Sequence, residues 1–335
     1  MPITSPELTW ETTATPALVA EVEALAAAAV AEDGTAPLSE QVLRQLKHPR
    51  HSAAEHLLAR SSADAPPADG VGSGDVRGTS TDLRGGALVG YAQVDPAATA
   101  PDGAPDPVAE LVVHPAHRRR GIGSALLAAL LDRTPAVRVW AHGALPAAAA
   151  LAARAGLTAQ RELWRMRRDL DVPLPDVVVP DGVRIRSFAV GADEAELLRV
   201  NNAAFAWHPE QGGWTLDDVA EREAEPWFDA DGVLLAVDVT APQHVLGFHW
   251  TKVHAAGTGE ADATAPVGEV YVLGVDPAAQ GRRLGQALTL AGLVYLRDLG
   301  LGAVVLYVEA DNAAAVRLYR DLGFERFSAD VSYRR

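Results

Sequence analysis

The chain has 335 residues, a net charge of −15 and no Cys. Its length allows two domains of ordinary size, its acidity argues against nucleic acid as a partner, and the absence of Cys excludes disulfides and Cys-ligated metals. There is no apolar run long enough for a bilayer and no signal-peptide pattern near Met1. We therefore expect a soluble, cytoplasmic protein, and as separate predictions we expect no metal site and a monomer.

In the first half, two helical segments precede alternating strands and helices. In chain order we predict helices over Glu21–Glu32 and Leu38–Leu46, strands over Gly86–Val94 and Leu111–Val113, a helix over Ser124–Leu131, a strand over Val137–Trp140, a helix over Pro146–Ala155 and a strand over Glu162–Arg168. Residues 61–82 and 95–107 are rich in Ala, Asp, Pro and Gly, so we predict long loops there.

Three prolines within Asp171–Pro180 predict an extended linker, after which the same order of elements begins again. The predicted elements are a strand over Arg184–Ser187, helices over Ala192–Ala203 and Leu216–Glu223, a hairpin of Gly232–Val239 and Val245–Lys252, a loop over Ala255–Val267, a strand from Glu269, a helix over Leu288–Leu299, a strand over Ala303–Val308, a helix over Asn312–Leu322 and a last strand from Gly323. Each half is a mixed α/β unit. We therefore predict two copies of one fold, in domains 1–172 and 181–335.

A strand, a proline, a Gly/Arg loop and a helix start occur in both halves. Pro115 and Pro277 mark the two copies, 162 positions apart. Such a loop forms an anion cradle, because backbone N–H groups and the positive end of a helix converge on a phosphate. The duplication suggests two nucleotide-cofactor domains.

The loop Arg118-Arg119-Arg120-Gly121-Ile122-Gly123 matches the Gln/Arg-x-x-Gly-x-Gly/Ala signature of the GCN5-related N-acetyltransferase (GNAT) family, which each half resembles. The resemblance implies acetyl-CoA as co-substrate, bound along a strand that splays at a bulge, with its pyrophosphate in the loop. The residues at these family positions are Leu111, Val112, Val113, Arg119, Arg120, Gly121, Ile122, Gly123 and Ser124 in the first half, and Leu273, Gly274, Val275, Gln280, Gly281, Arg282, Arg283, Leu284, Gly285, Gln286 and Asn312 in the second.

Longer stretches resemble one tandem-domain branch of this family. Residues 197–205, 208–214 and 247–254 are similar to enzymes that acetylate the cysteinyl amine of desacetylmycothiol, the last step of mycothiol formation. The resemblance implies that small amine as the acceptor. It also implies that five residues bind it, namely Asp33, Glu196, Lys252, Glu269 and Tyr307.

The two halves differ in their acid/base groups. An internal alignment of the last helix places Ala152 where the second half has Tyr319, and an alignment on the two prolines places Pro107 where it has Glu269. Glu110 is then predicted on the opposite side of its strand. In the family the Tyr hydroxyl lies near the thioester sulfur. We predict Glu269 as base and Tyr319 as acid in a catalytic second domain, and a first domain that binds acetyl-CoA without turnover.

The second loop departs from the family signature, because Arg283 stands where the family has its first Gly. A β-carbon there would crowd the pyrophosphate or resist the required backbone angles, although Gly281 compensates in part. Two alternative functions stay open. One is the same chemistry on an aminoglycoside, polyamine or protein N-terminus. The other is a regulatory protein that binds acetyl-CoA without turnover.

Overall fold

A computed structural model of the chain describes residues 7–47, 53–61, 86–100, 103–206, 211–256 and 264–335. The described residues form two compact units. Unit 1 lies within Met1–Ala98, Pro105–Arg161 and Asp330–Arg335, and unit 2 within Thr99–Ala104 and Glu162–Ala329. Most of the predicted loop over 61–82, residues 257–263 of the predicted loop over 255–267, and residues 207–210 lie outside the described ranges.

Unit 1 is a mixed sheet with helices on both faces. Its elements are β1 (Glu7–Glu11), α1 (Pro16–Asp33), α2 (Glu40–Lys47), β2 (Glu55–Arg60), β3 (Leu88–Asp95), β4 (Val108–Val113), α3 (Ile122–Arg133), β5 (Arg138–Ala141) and α4 (Pro146–Arg154). The strand order is β1-β2-β3-β4-β5, antiparallel except for the parallel pair β4–β5. Residues 331–333, at the end of the last strand, pair with β5 and complete this sheet.

Unit 2 repeats the arrangement. Its elements are β6 (Thr158–Asp169), β7 (Val183–Ser187), α5 (Glu194–Ala204), α6 (Leu216–Glu223), β8 (Val233–Asp238), β9 (Val245–His254), β10 (Val267–Val275), α7 (Leu284–Asp298), β11 (Ala303–Glu309), α8 (Ala313–Asp321) and β12 (Glu325–Arg334). The strand order is β7-β8-β9-β10-β11-β6-β12, with β10–β11 the parallel pair. The prediction of two mixed α/β units is confirmed.

The units differ from the predicted domain ranges at three segments, the first of which is Thr99–Ala104, a part of unit 2. Residues 162–172 belong to unit 2, because β6 pairs with β11 along Leu163–Asp169. Asp330–Arg335 belong to unit 1, because the end of β12 pairs with β5. Two strands, β1 and β2, had no counterpart among the predicted elements. Within the described ranges, no helix combines the length and apolar character of a membrane-spanning segment.

Apolar residues at helical spacing fix the helices to the sheets. In α1, Leu18, Val22, Leu25 and Ala29 lie on one face and pack with α2 against β3 and β4. On the other face of the unit 1 sheet, α3 and α4 cover the core. In unit 2, α5 and α6 cover one face, around the buried Trp250, and α7 and α8 cover the other.

The parallel pair of each unit separates before its strands end. The β4–β5 ladder runs only from Val108 to Glu110 on β4, and the β10–β11 ladder only from Gly268 to Val270 on β10. Beyond these points β4 and β10 stay paired on their other side, with β3 and β9. Each unit therefore has a cleft where backbone groups of one strand face no ladder partner.

Candidate active site

A β-bulge distinguishes strand β10 of unit 2 from the corresponding strand β4 of unit 1. From Gly90 to Asp95, β3 pairs residue for residue with Val113 to Val108 of β4. The corresponding stretch of β9 takes one residue more on β10, because the register shifts between Val270 and Val272. Tyr271 is the extra residue. A bulge leaves the extra residue outside the ladder and bends the strand, which opens unit 2 at the point where β10 leaves β11.

Two cavities lie along this opening in unit 2. One has a volume of 270 Å³ and is lined by Tyr271, Tyr307 and Tyr319, among others. The second has a volume of 460 Å³ and includes Val275 and Gln280 in its lining. Leu273 and Asn312 line both. The structure therefore brings the predicted acid next to the strand and loop predicted to bind acetyl-CoA.

Tyr319 is the predicted acid. Its side chain lies in α8, only 6% exposed, and packs edge-on against Phe324. Burial raises the pKa of the Tyr319 hydroxyl, so the group keeps its proton near neutral pH. The hydroxyl has no hydrogen-bond partner among the described residues. A buried hydroxyl without a partner at a cavity wall is available to a ligand atom.

Glu269, the predicted base, belongs to a buried polar group on β9 and β10. It is 7% exposed and lies directly opposite Lys252 in the ladder. Its Oε2 atom contacts His254 Nε2. The Lys252 ammonium lies 4.4 Å from the ring centre of Trp227 and 5.2 Å from that of Tyr271. Glu269 and Lys252 line neither of the two cavities. Both lie beside Tyr271, which lines the cavity of 270 Å³.

His254 is a site residue that sequence reasoning missed. It follows Lys252 by two positions on β9, so both side chains lie on the face that carries Glu269. The period of two along a predicted hairpin was the available signal. A histidine against Glu269 fixes the orientation of that carboxylate.

Tyr307 and Asn312 also line the cavity of 270 Å³ in unit 2. Tyr307 lies on β11 opposite Arg165, whose guanidinium is 5.5 Å from the Tyr307 ring centre. Asn312 caps α8, with its Oδ1 accepting from the Ala315 N–H at 3.2 Å. Both residues line the cavity that contains Tyr319.

The structure does not bring Glu196 close to Glu269 and Lys252. Its carboxylate accepts two bonds of 2.9 Å from Arg199 and one of 3.1 Å from the Val245 N–H. The bonds from Arg199 lower the pKa of the Glu196 carboxyl. Val245 precedes Lys252 by seven positions on β9, roughly 23 Å along a strand. Glu196 is therefore remote from Lys252 and Glu269.

The Gly/Arg loop of unit 2 leads into α7, whose first turn has no side-chain cap. Uncapped N–H groups at a helix start are suited to an anion. Gly281 and Arg283 both have left-handed backbone conformations, with φ of 79° and 62°. Neither lines the two cavities, nor do Gly274, Arg282, Leu284, Gly285 and Gln286.

The loop of unit 1 has left-handed conformations at the same two positions. Where unit 2 has Gly and then Arg, unit 1 has Arg and then Gly. Arg119 has a φ of 62° and Gly121 a φ of 86°, and α3 also begins without a side-chain cap. The loop borders a cavity of 470 Å³. Of the predicted residues, all but Arg120 line it: Leu111, Val112, Val113, Arg119, Gly121, Ile122, Gly123 and Ser124.

Asp33 lies in unit 1, at the edge of this cavity. Its two oxygens accept from the Arg118 guanidinium at 2.7 and 2.6 Å. Arg118 also donates to the Val113 carbonyl at 3.1 Å. The first arginine of the motif thus joins the end of α1 to β4.

The prediction for Glu110 was wrong. Strand pairing puts Val108, not Pro107, at the position of Glu269, because β4 lacks the bulge. Glu110 follows Val108 by two residues and therefore lies on the same face. Its carboxylate accepts from the Ser39 N–H at 2.6 Å and lies 3.3 Å from His142. Unit 1 still lacks a carboxylate at the Glu269 position.

His142, on the wall of the unit 1 cavity, lies between two buried carboxylates. Its Nδ1 atom is 3.0 Å from Asp330, and its Nε2 atom is 3.3 Å from Glu110. Burial alone would lower the pKa of His142, but the two carboxylates outweigh burial and raise it to about 10. The imidazole is therefore a cation at neutral pH.

Comparison with known proteins identifies both halves. The acetyltransferase (GNAT) family model matches residues 201–324, and an acetyltransferase (GNAT) domain model matches residues 81–157. A GCN5-related N-acetyltransferase from Sphaerobacter thermophilus has the same fold, with a TM-score of 0.64 at 24% identity, covering 99% of this chain and 96% of that one. A tandem GNAT protein from the clavulanic acid biosynthesis pathway matches with a TM-score of 0.65 at 20% identity, covering 98% of both chains.

Two relatives are much closer in sequence. A mycothiol acetyltransferase from Nocardia farcinica is 54% identical over 314 residues, which cover 93% of this chain and 92% of the relative. A mycothiol acetyltransferase from Mycolicibacterium paratuberculosis is 52% identical over 336 residues, covering 97% and 96%. The chain therefore belongs to the family of mycothiol acetyltransferases, and both of its halves carry the GNAT fold.

Proposed function

We propose that unit 2 transfers the acetyl group of acetyl-CoA to the cysteinyl amine of desacetylmycothiol, giving mycothiol and CoA. The observation that carries the choice of acceptor is the 54% identity to a mycothiol acetyltransferase over 93% of the chain. The proposal also takes the chain to act as a cytoplasmic monomer, without nucleic acid, membrane or metal as a partner.

Acetyl-CoA is proposed to bind along β10 beyond the bulge. The backbone of Leu273–Val275, which has no ladder partner on the β11 side, would pair with the pantetheine arm. The loop Gln280–Gln286 and the uncapped start of α7 would hold the pyrophosphate. Asn312 lines both cavities and would contact the arm between these two ends.

Glu269 is proposed to take a proton from the acceptor ammonium, directly or through one water. The neutral amine then attacks the acetyl carbonyl carbon, and backbone N–H groups near Leu273 stabilise the oxyanion that forms. His254 keeps the Glu269 carboxylate in one orientation through their contact. Lys252 and Tyr307 would hydrogen-bond to acceptor oxygens, and Asp33 stays a further predicted contact.

Tyr319 is proposed to finish the reaction. As the tetrahedral intermediate collapses, the C–S bond breaks and the Tyr319 hydroxyl gives its proton to the CoA thiolate. The position of Tyr319 on the wall of the cavity beside Leu273 supports this role. The chain has no Cys, so the acetyl group passes directly from sulfur to nitrogen without an S-acetyl-enzyme.

Unit 1 is proposed to bind acetyl-CoA without turnover. Its cavity, uncapped α3 start and Gly/Arg loop support binding. It has Val108 and Ala152 where unit 2 has Glu269 and Tyr319. Glu110, two residues after Val108 on the same strand, accepts from the Ser39 N–H and lies against His142.

The test is the release of CoA thiol from acetyl-CoA by the purified protein with desacetylmycothiol, beside glucosamine and spermidine. We expect rapid release with desacetylmycothiol alone. Release with glucosamine or spermidine instead would move the acceptor to another amine. Acetyl-CoA binding without release for any acceptor would support a regulatory protein and overturn the proposal.

A further inference from the structure

A buried arginine lines the cavity of unit 2 beside the proposed acceptor position. Arg222 lies in α6, only 8% exposed, and its guanidinium carbon is 3.9 Å from the ring centre of Trp214. Its Nε atom donates to the Tyr271 hydroxyl at 3.2 Å. Its Nη1 atom donates to the Asp218 carbonyl at 2.6 Å. These contacts hold the guanidinium in one position.

The charge of Arg222 is only partly compensated. The nearest carboxylate, on Asp218, is 3.9 Å away and accepts from Thr215 at 2.8 Å. The Arg222 Nη2 atom has no hydrogen-bond partner anywhere in the described chain. The Nη2 nitrogen keeps some accessible surface, and because Arg222 lines the cavity, a ligand there can supply the missing acceptor.

The chemistry of that ligand follows from the surroundings. Tyr271 has Arg222 against its hydroxyl and the Lys252 ammonium 5.2 Å from its ring centre. Both cations are donors only, so an ammonium is disfavoured beside them and an oxygen with lone pairs is favoured. Glu269 precedes Tyr271 by two residues on β10, a distance of about 7 Å that an acceptor amine and its neighbouring atoms can span.

Resting on the proposed function, we propose that Arg222 is a further acceptor-binding residue, whose Nη2 donates to the amide carbonyl oxygen next to the reacting amine. In a cysteinyl amide that oxygen is the strong acceptor nearest the amine. Holding it fixes the amine relative to Glu269 on one side and the thioester on the other. Arg222 thereby selects α-aminoacyl amides over simple amines.

The experiment compares desacetylmycothiol with its thioamide analogue, in which sulfur replaces the carbonyl oxygen and the rest of the molecule is unchanged. Sulfur accepts hydrogen bonds weakly. In the wild type we expect kcat/KM for the amide to exceed that for the thioamide by roughly 10-fold or more. In Arg222→Gln the amide value falls and the ratio approaches one, while the KM for acetyl-CoA is unchanged.

Arg186→Gln is the matched control. Arg186 pairs with Asp193 in unit 2 and does not line either cavity, so its loss leaves the ratio at the wild-type value. If Arg222→Gln does not fold, Tyr271→Phe removes the hydroxyl that accepts from Nε, and the ratio is then expected to fall by a smaller factor.

A ratio near one in the wild type, or a ratio that the Arg222 variant leaves unchanged, overturns the inference and leaves the proposed function intact. An equal loss on both acceptors shows a purely structural role and also overturns it. A wild-type protein that does not acetylate desacetylmycothiol at all overturns the proposed function itself.

Discussion

Tyr319 offers the sharpest single-residue test of the proposed chemistry. Phenylalanine keeps the packing against Phe324 but cannot protonate the departing thiolate. We expect Tyr319→Phe to lower kcat by about 10²–10⁴-fold with little change in the KM for acetyl-CoA. Steady-state kinetics measure this, with Tyr295→Phe as control, because the Tyr295 hydroxyl binds Asp229 in place of a cavity ligand. A drop below about threefold would remove Tyr319 from the mechanism.

His142 makes the stability of unit 1 depend on pH. Its pKa is about 10 in the folded protein and about 6.5 when unfolded. Its stabilising contribution is therefore complete below about pH 6.5 and is lost as the pH rises through about 10. We expect His142→Gln to cost about 3–5 kcal/mol at neutral pH, with a smaller difference from the wild type at high pH. Calorimetry from pH 6 to pH 11 measures this, and a constant difference would contradict it.

Sequence alone reached only part of the site. Tyr319, Tyr307 and Asn312 follow from their positions in the last β-α-β segment, and the structure brings them to one cavity. Glu196 was chosen by resemblance, and its ion pair with Arg199 keeps it elsewhere. The predicted roles stay predictions.

At the scale of elements, the two Gly/Arg loops allow a test of how much a left-handed backbone conformation costs a residue other than Gly. Arg283 has a left-handed conformation, which costs a non-Gly residue roughly 1–2 kcal/mol. At the equivalent Gly121, no atom lies within 4 Å of an added β-carbon, so the cost there is in the backbone. We expect Arg283→Gly to stabilise unit 2 by about 0.5–1 kcal/mol after the entropy of glycine is subtracted. The mirror change Gly121→Arg should destabilise unit 1 by a similar amount.

Denaturant unfolding of both variants measures these differences. A loss of stability in Arg283→Gly would mean that the arginine side chain makes contacts that outweigh its strain.

Short elements differed in how easily they could be predicted. The predicted and observed ranges of α6 are the same, Leu216–Glu223. The short edge strand β1 has only Leu8 and Trp10 as an apolar alternation, too brief to stand out. The bulge at Tyr271 is visible only in the pairing of β9 with β10, so counting from a proline missed it by one residue.

At the scale of the whole molecule, the C-terminal residues Asp330–Arg335 belong to unit 1, although the rest of unit 1 lies in the first half of the chain. Residues 331–333 pair with β5, Asp330 binds His142 and the Gly143 N–H, and Tyr333 lines the unit 1 cavity. We expect removal of Asp330–Arg335 to destabilise unit 1 by at least about 3 kcal/mol and to abolish acetyl-CoA binding at the site proposed there. Calorimetry and binding stoichiometry measure both, with deletion of Arg335 alone as control. Two intact sites in the truncated protein would contradict this expectation.

The division into two similar halves was predictable, because motif, element order and loop recur after a proline-rich stretch. The exact assignment of segments was not. Contacts across 188 positions, such as the side-chain hydrogen bond between His142 and Asp330, leave no local pattern in a single sequence.

The extra residue in β10 also limits which mutations could convert unit 1 into a copy of unit 2. Substitutions such as Val108→Glu and Ala152→Tyr can supply unit 1 with the missing side chains, but they cannot lengthen β4. Without an inserted codon, the new carboxylate would lie beside an unbent strand. If the proposed roles of the two units hold, a catalytic first half would need an insertion as well as substitutions, and a library of point mutants contains no insertion.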